Sequence, residues 1–309
     1  MPYADLYQPL WMLLAFVALG WLCARRLALD PRPIATLLVY VIAPLTFFRA
    51  LVLGEPGADD LLLSAALFLL SSAIALLVAR LARPFFAAEE SALLAFSSGT
   101  GNTGYFGLPI ALVLLPPEGV TQYLFSLLGI NLFEFTVGFY LSARGRFSVR
   151  QSLSRIARLP LIYAFLAALL VSRIDVPLPG ALLDGLDYFK YCYTVLGMMI
   201  IGMTLGRVTL REFDTRFIAA CVTLRYIVWP LLSVAAVALL QASVGIDATL
   251  ATALLLIGVV PMASNVVVVA MELNIRPEKG AIAVLLTTLA APLLIPPYLA
   301  ALLALVGLE

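Results

Sequence analysis

The sequence predicts an all-α polytopic membrane protein of ten transmembrane helices, arranged as an inverted 5+5 repeat with two broken, crossing helices at spans 4 and 9. Three observations predict it. Hydrophobic residues make up 63% of the 309-residue chain and charged residues 12%, against the ~25% charged residues of soluble domains, and the mean hydropathy is +1.07. Apolar runs recur along the whole chain, each about 20 residues and so long enough to cross a ~30 Å hydrocarbon core. Basic residues gather in alternate connections between those runs, as the positive-inside rule requires.

The runs fall at about 8–28, 33–53, 60–82, 90–116, 120–142, 156–174, 183–206, 214–241, 247–273 and 279–307. Met1 to Leu10 carries Asp5 and no basic residue, unlike the opening of a signal peptide. The first helix is therefore expected to be retained with its amino end outside. Pro177 and Pro179 separate the sixth and seventh runs, and Asp184, Asp187 and Lys190 make the seventh start polar. With these ten spans, fifteen of the nineteen Lys and Arg residues fall on one side, leaving Arg49, Arg173 and Lys190 opposite and Arg225 inside a span. A span missed or invented mid-chain would destroy that skew. Both termini are expected outside.

The largest basic connection, Arg144 to Arg158, lies at the midpoint. It divides the chain into a first five-helix repeat at 1–146, a cytoplasmic basic linker at 147–155 and a second five-helix repeat at 156–309. An odd number of spans per half makes the halves run in opposite directions, the arrangement of many secondary transporters.

The fourth run is the most informative. Residues 98–116 carry four glycines, Asn102 and Pro109 where an unbroken helix would be expected. Proline removes a backbone donor, glycine lowers helix propensity, and in hydrocarbon each freed peptide group must be satisfied by protein or water. The ninth run answers it, with Pro261 and Asn265 mid-span. Interrupted spans at corresponding positions of two halves point to a transporter binding site. The helix-break residues are expected to be Gly101, Gly107, Pro109 and Pro261. Pro44 is expected to kink the second span and Gly202 the seventh.

At these residues the chain resembles the auxin efflux carrier family, which includes plant auxin exporters and many bacterial organic-acid permeases. Gly101-Asn102-Thr103-Gly104-Tyr105-Phe106-Gly107-Leu108-Pro109 resembles its fourth-span motif, and Pro261-Met262-Ala263-Ser264-Asn265 through Ala270-Met271-Glu272 its ninth. Ala281 to Pro292 and Ile42-Ala43-Pro44-Leu45-Thr46-Phe47-Phe48 are similar to further segments. The resemblance implies the fold of the bile-acid sodium symporters, with inverted five-helix repeats and two broken helices crossing near the membrane centre. Plant members often carry a long hydrophilic central loop. This chain has only the short basic connection, so it is similar to the bacterial branch, which implies the bacterial inner (cytoplasmic) membrane.

The broken segments can recognise an anion without a buried cation. Half-helix amino ends present N–H groups and partial positive charge, and glycine lets a carboxylate approach the backbone. The expected substrate-binding residues are Asn102, Thr103, Gly104, Tyr105, Asn131, Ser264 and Asn265, with the asparagines as amide donors. Their alternative role is capping of the broken ends. Asn131 and Glu134 lie three residues apart, on one helical face. A carboxylate inside a membrane span is a functional hypothesis by default, so Glu134 is the candidate carrier of a coupled proton, against a structural role. Arg225 could pair with Glu134, attract the substrate or snorkel to the interface. Its depth, about a third of the span from the inner side, favours snorkelling or structural pairing. Arg49 is expected at the outer interface.

Other chemistry is weakly represented. Cys23, Cys192 and Cys221 are scattered and show neither metal spacing nor a disulfide framework. The chain contains no histidine, the commonest proton shuttle. The Gly101 segment lacks the Gly-Lys-Ser/Thr of a phosphate loop. An enzyme is not expected, nor a cofactor, a metal or a nucleic-acid partner. The function expected is a secondary active transporter, or facilitated carrier, of an organic anion or carboxylate by alternating access. Coupling to H+ or Na+ is open. The alternatives are a sodium-coupled symporter of the bile-acid type and, in a different class, a channel or sensor on the same fold. The expected partners are a small organic acid, the lipid bilayer and, in an open oligomeric state, a second copy as homodimer.

Overall fold

The computed structural model describes residues 7–54, 57–143, 160–174, 177–206 and 213–308. The linker expected at 147–155 and residues 1–6 lie outside the described residues. All regular structure among the described residues is helical. In chain order the helices are α1 (Tyr7–Arg26), α2 (Pro31–Leu53), α3 (Ala58–Leu81), α4 (Ala88–Ser98) and α5 (103–114). There follow α6 (Pro117–Ser142), α7 (Pro160–Ile174), α8 (Gly180–Gly206) and α9 (Thr215–Ser243). The last three are α10 (Ala248–Val259), α11 (Asn265–Leu273) and α12 (Pro277–Leu305).

Six of these, α2, α3, α6, α8, α9 and α12, are long and apolar enough to cross a bilayer, while α7 and α10 are shorter apolar helices. The polarity of α3 is that of a membrane helix. Leu62, Leu69 and Leu76, seven residues apart on one stripe, are 69%, 63% and 53% exposed, whereas Ser64 and Ser71 are buried. In water this pattern would be inverted. In lipid, leucine faces the tails and small polar residues mediate helix contacts. The chain is a multi-pass membrane protein.

Acidic residues open several helices by accepting from first-turn amides: Asp30 from the Arg32 N–H at 3.2 Å, Asp214 from Arg216 and Phe217 at 3.0 and 3.1 Å, and Asp247 from Leu250 at 2.8 Å. Close packing of α1 on α8 rests on small residues. A Cβ on Gly202 would lie 1.8 Å from the Val17 carbonyl oxygen, and one on Gly20 would lie 2.0 Å from that of Met199. Gly202 was expected to kink its span, but α8 runs unbroken. The residue provides the helix contact instead.

Pro44 does mark an irregularity. A widened π turn, Leu38–Ile42, ends two residues before it. The same happens at Thr103–Gly107 before Pro109 and at Leu224–Val228 before Pro230. In each, a tyrosine stands four residues before the proline (Tyr40, Tyr105 and Tyr226). Its carbonyl would receive the N–H that proline lacks. At Tyr226 the freed oxygen is taken by the Tyr298 hydroxyl at 2.8 Å.

Two charged clusters tie helix ends together. Arg49 pairs with Asp187 at 3.0 Å and donates to the Leu183 carbonyl at 3.3 Å, joining α2 to α8. Lys279 reaches Glu90 and Asp214, each at 2.6 Å, joining the amino ends of α4, α9 and α12.

Candidate functional site

Two chain interruptions meet in the interior. The first, 99–102, separates α4 from α5, and the second, 260–264, separates α10 from α11. They touch backbone to backbone, the Asn102 N–H donating to the Pro261 carbonyl at 2.7 Å. The breaks do not follow the expected residues throughout. Gly101 and Pro261 lie within the interruptions, but Gly107 ends the π turn and Pro109 is the second residue of the regular helix that follows. Pro109 is the seventh residue of α5, and the widened turn before it accommodates the N–H that proline lacks. The break therefore falls upstream, at the Gly99 to Gly101 stretch.

The carboxyl ends of both half-helices are closed from α9. The Trp229 indole N–H donates to the Ser98 carbonyl at 2.7 Å, at the end of α4. The Arg225 guanidinium donates to the Ile257 and Val260 carbonyls at the end of α10. It also lies 5.3 Å from the Trp229 ring centroid. A cation there meets the negative end of the helix dipole, and its five N–H groups suit several carbonyls at once. Arg225 is 2% exposed. It neither snorkels nor pairs with Glu134 within 4.0 Å, and it holds backbone. Gly101 is required beside it, since a Cβ there would stand 2.6 Å from the Arg225 Cζ.

Glu134 links the two interruptions. Its carboxylate accepts from the Thr100 hydroxyl of the first and, at 2.8 Å, from the amide of Asn265, the first residue of α11 after the second. It is buried and begins a π turn of α6, Glu134–Gly138. The other side is aromatic. The Tyr123 hydroxyl donates to the Thr103 carbonyl at 2.8 Å. The Tyr105 and Tyr193 rings lie 5.8 Å apart, and a Cβ on Gly104 would lie 2.9 Å from the Tyr193 hydroxyl.

Asn102 has two roles. Its Oδ1 accepts from the Phe106 N–H at 3.2 Å as the N-cap of α5. Its Nδ2, in a residue only 3% exposed, has no hydrogen-bond partner among the described residues. A buried donor left unmade costs ~1–3 kcal/mol, and such a group at a helix opening is suited to an incoming acceptor.

Asn102, Thr103 and Asn265 of the expected set thus sit at the contact, as do Glu134 and Arg225. Thr103 turns its hydroxyl to the Gly101 carbonyl at 3.4 Å. Ser264 is buried, with its carbonyl accepting from Val267. Asn131 is half-buried and makes no side-chain hydrogen bond with a described residue. Sequence reasoning passed over Thr100, Tyr123, Tyr193, Trp229 and Thr287. The last accepts from the Met262 N–H at 3.3 Å, inside the second interruption. The hydroxyl beside the glycines of the first interruption was the signal for Thr100, the Thr287-Thr288 pair within an apolar run that for Thr287, and the tryptophan one turn after Arg225 that for Trp229.

No family model matches the chain. Over 180 residues it is 27% identical to an uncharacterized transporter of Methanocaldococcus jannaschii. The match spans 55% of this chain and 58% of that relative's length. What the chain resembles over those segments is a protein described as a transporter.

Proposed function

We infer that the chain is a secondary transporter of an organic anion, working by alternating access around the two touching interruptions. The observation that carries this reading is the buried Nδ2 of Asn102, without a partner among the described residues, where two broken helices meet. Interrupted helices in two halves are how secondary transporters build a midplane site. The relative described as a transporter supports the same class. So does the resemblance of both interruptions to auxin efflux carrier motifs, and the short central connection supports the bacterial branch and an inner membrane. On this reading α4 with α5 forms span 4, α10 with α11 forms span 9, and the halves 1–146 and 156–309 are inverted repeats.

The carboxyl ends of α4 and α10 are occupied by Trp229 and Arg225, so the amino-terminal sides of α5 and α11 receive the anion. Asn102 donates to its carboxylate. Glu134 supplies the coupling. An ionised Glu134 repels a second carboxylate in a poorly solvated site, whereas a protonated one does not. Protonation also removes one acceptor from the pair facing Thr100 and Asn265, loosening the tie between the interruptions. Proton and anion are therefore bound together, and sodium at backbone oxygens is the competing coupling.

Counterflow in proteoliposomes tests the reading. Trans organic acid should accelerate uptake of labelled acid, at a rate that depends on pH but not on sodium. Flux without any trans effect would identify a channel and refute the carrier.

A further inference from the structure

A cavity of about 640 Å³ lies between the end of α3, the turn after it and the first half of α4, bounded across by Tyr140 and Leu141 of α6. Its walls are mostly apolar. Ala88, Ala92 and Ala95 line it at helical spacing, and Phe86 and Ala79 complete them. Small side chains on that face of α4 are what leave the space.

Two polar groups interrupt the apolar lining. Arg83 lines the cavity, is exposed and makes no ion pair with a described residue. Arg80, three residues earlier, is also exposed and free of ion pairs among the described residues. The second group is the Ser91 hydroxyl. Ser91 is 4% exposed, and its Oγ has no hydrogen-bond partner among the described residues. Ser72 and Ser126 satisfy theirs by bonding the carbonyl one turn back, at 2.7 and 2.9 Å. Ser91 does not. The acidic side chains of the same helical turn are already engaged, Glu89 with Arg276 at 3.1 Å and Glu90 with Lys279 at 2.6 Å. The unbalanced charge at the mouth is therefore positive.

An apolar recess with a cation at its mouth and an unsatisfied hydroxyl in its wall suits an amphiphile carrying a phosphate. Basic pockets between membrane helices at the cytoplasmic interface hold anionic headgroups. We propose that this cavity binds one acidic phospholipid from the leaflet facing Arg80 and Arg83. Arg83 pairs with the phosphate, the Ser91 hydroxyl donates to a phosphate oxygen, and an acyl chain lies along Phe86, the alanines and Leu141. Tyr140, 42% exposed, stands at the edge as an interfacial aromatic. The site shares no residue with the crossing, so it stands or falls apart from the transport reading.

The test uses the purified full chain in detergent with phosphatidylglycerol, phosphatidylcholine or inorganic phosphate. Bound lipid is counted by native mass spectrometry and Tm is followed in parallel. One phosphatidylglycerol should be retained, with a Tm rise of about 5 °C at saturating lipid. Phosphatidylcholine should bind about tenfold more weakly, because only the acidic lipid leaves net charge for Arg83. Arg83→Gln should lose this preference. Ala88→Trp, at an exposed lining position that leaves the core alone, should lose the bound lipid altogether and decides the matter if Arg83→Gln does not fold. Equal retention of the two lipids, or an unchanged adduct in Ala88→Trp, would overturn the proposal. A Tm rise with inorganic phosphate that matches phosphatidylglycerol would overturn it too, by marking a free-anion site.

Discussion

Arg225 and Trp229 stand one helical turn apart on α9, and each closes the carboxyl end of a different half-helix, α10 and α4 respectively. A single turn of one helix thus supplies donors to both broken spans. The exposed carbonyls of an interrupted helix are costly in hydrocarbon, and here two sets of them depend on neighbouring side chains. Trp229→Phe keeps the ring and deletes the N–H, leaving the Ser98 carbonyl short of a donor. We expect a loss of about 1–2 kcal/mol, read as a Tm drop of several degrees in detergent. Arg225→Met should cost more, since it abandons two carbonyls. A Tm unchanged in both variants would remove this account of the crossing.

The Asn102 side chain caps α5 through its oxygen and leaves its nitrogen unpaired. Asn102→Ser retains an N-cap acceptor while removing the amide donor. Affinity for the transported acid should fall about tenfold or more, the worth of one hydrogen bond to a charged group. Tm without ligand should stay within a few degrees of the parent. Ligand-induced thermal shift measures both. Undiminished affinity would place the anion elsewhere.

Glu134→Gln preserves size and one carbonyl acceptor but cannot change charge. Counterflow by the parent should vary with pH, whereas the variant should show a flat profile at whatever rate remains. A variant that keeps the parental pH dependence would exclude Glu134 as the coupling group.

Asp214 gives a pH dependence of stability. The hydrogen bond from the Lys279 ammonium, with the N–H groups of Phe217 and Arg216, holds its carboxyl below the usual 3.8. A group depressed in the folded state stabilises above its unfolded value and loses that contribution as pH falls through the folded one. Asp214→Asn keeps the N-cap and removes the charge. Its Tm should lie about 1–2 °C below the parent at pH 7, a small gap because Lys279 keeps Glu90 as a partner. The gap should close below pH 3.8. A gap that persists into acid would mean that the charge contributes nothing.

The close contact of α1 with α8 is testable by size alone. Gly202→Leu requires the Val17 backbone to move, because even a Cβ would stand 1.8 Å from its carbonyl oxygen. Recovery of folded protein on gel filtration should fall sharply. Recovery at parental levels would show that the two helices can separate without penalty.

Much of this arrangement was legible in the sequence. The positions of the two interruptions follow from Asn102, Gly101 and Pro261, because glycine and proline act on the backbone locally and leave a local trace. Their contact, Asn102 to Pro261, joins residues 159 positions apart, and only the matched pattern in both halves hinted at it. Pro109 misled, since a proline that interrupts a regular helix can also be carried inside one, and the difference lies in the widened turn before it. Arg225 was hardest to place. A lone buried cation suggests a carboxylate partner, and its actual partners are carbonyls, which no residue type announces. Gly202 carried the same ambiguity, because a glycine in a span reads alike whether it bends its own helix or admits another.

The tyrosine-to-proline π turns have a consequence for how these helices face their neighbours. A widened turn inserts one residue, and one residue of α-helix is about 100° of rotation. The stretches of α9 before Leu224 and after Val228 are thus out of phase with one another, and a wheel drawn through the whole helix averages two different orientations. Deleting a single residue within 224–228 would remove the inserted one and restore regular winding with Trp229 still turned to α4, whereas deleting one residue from a regular stretch of α9 would swing everything beyond it by about 100°.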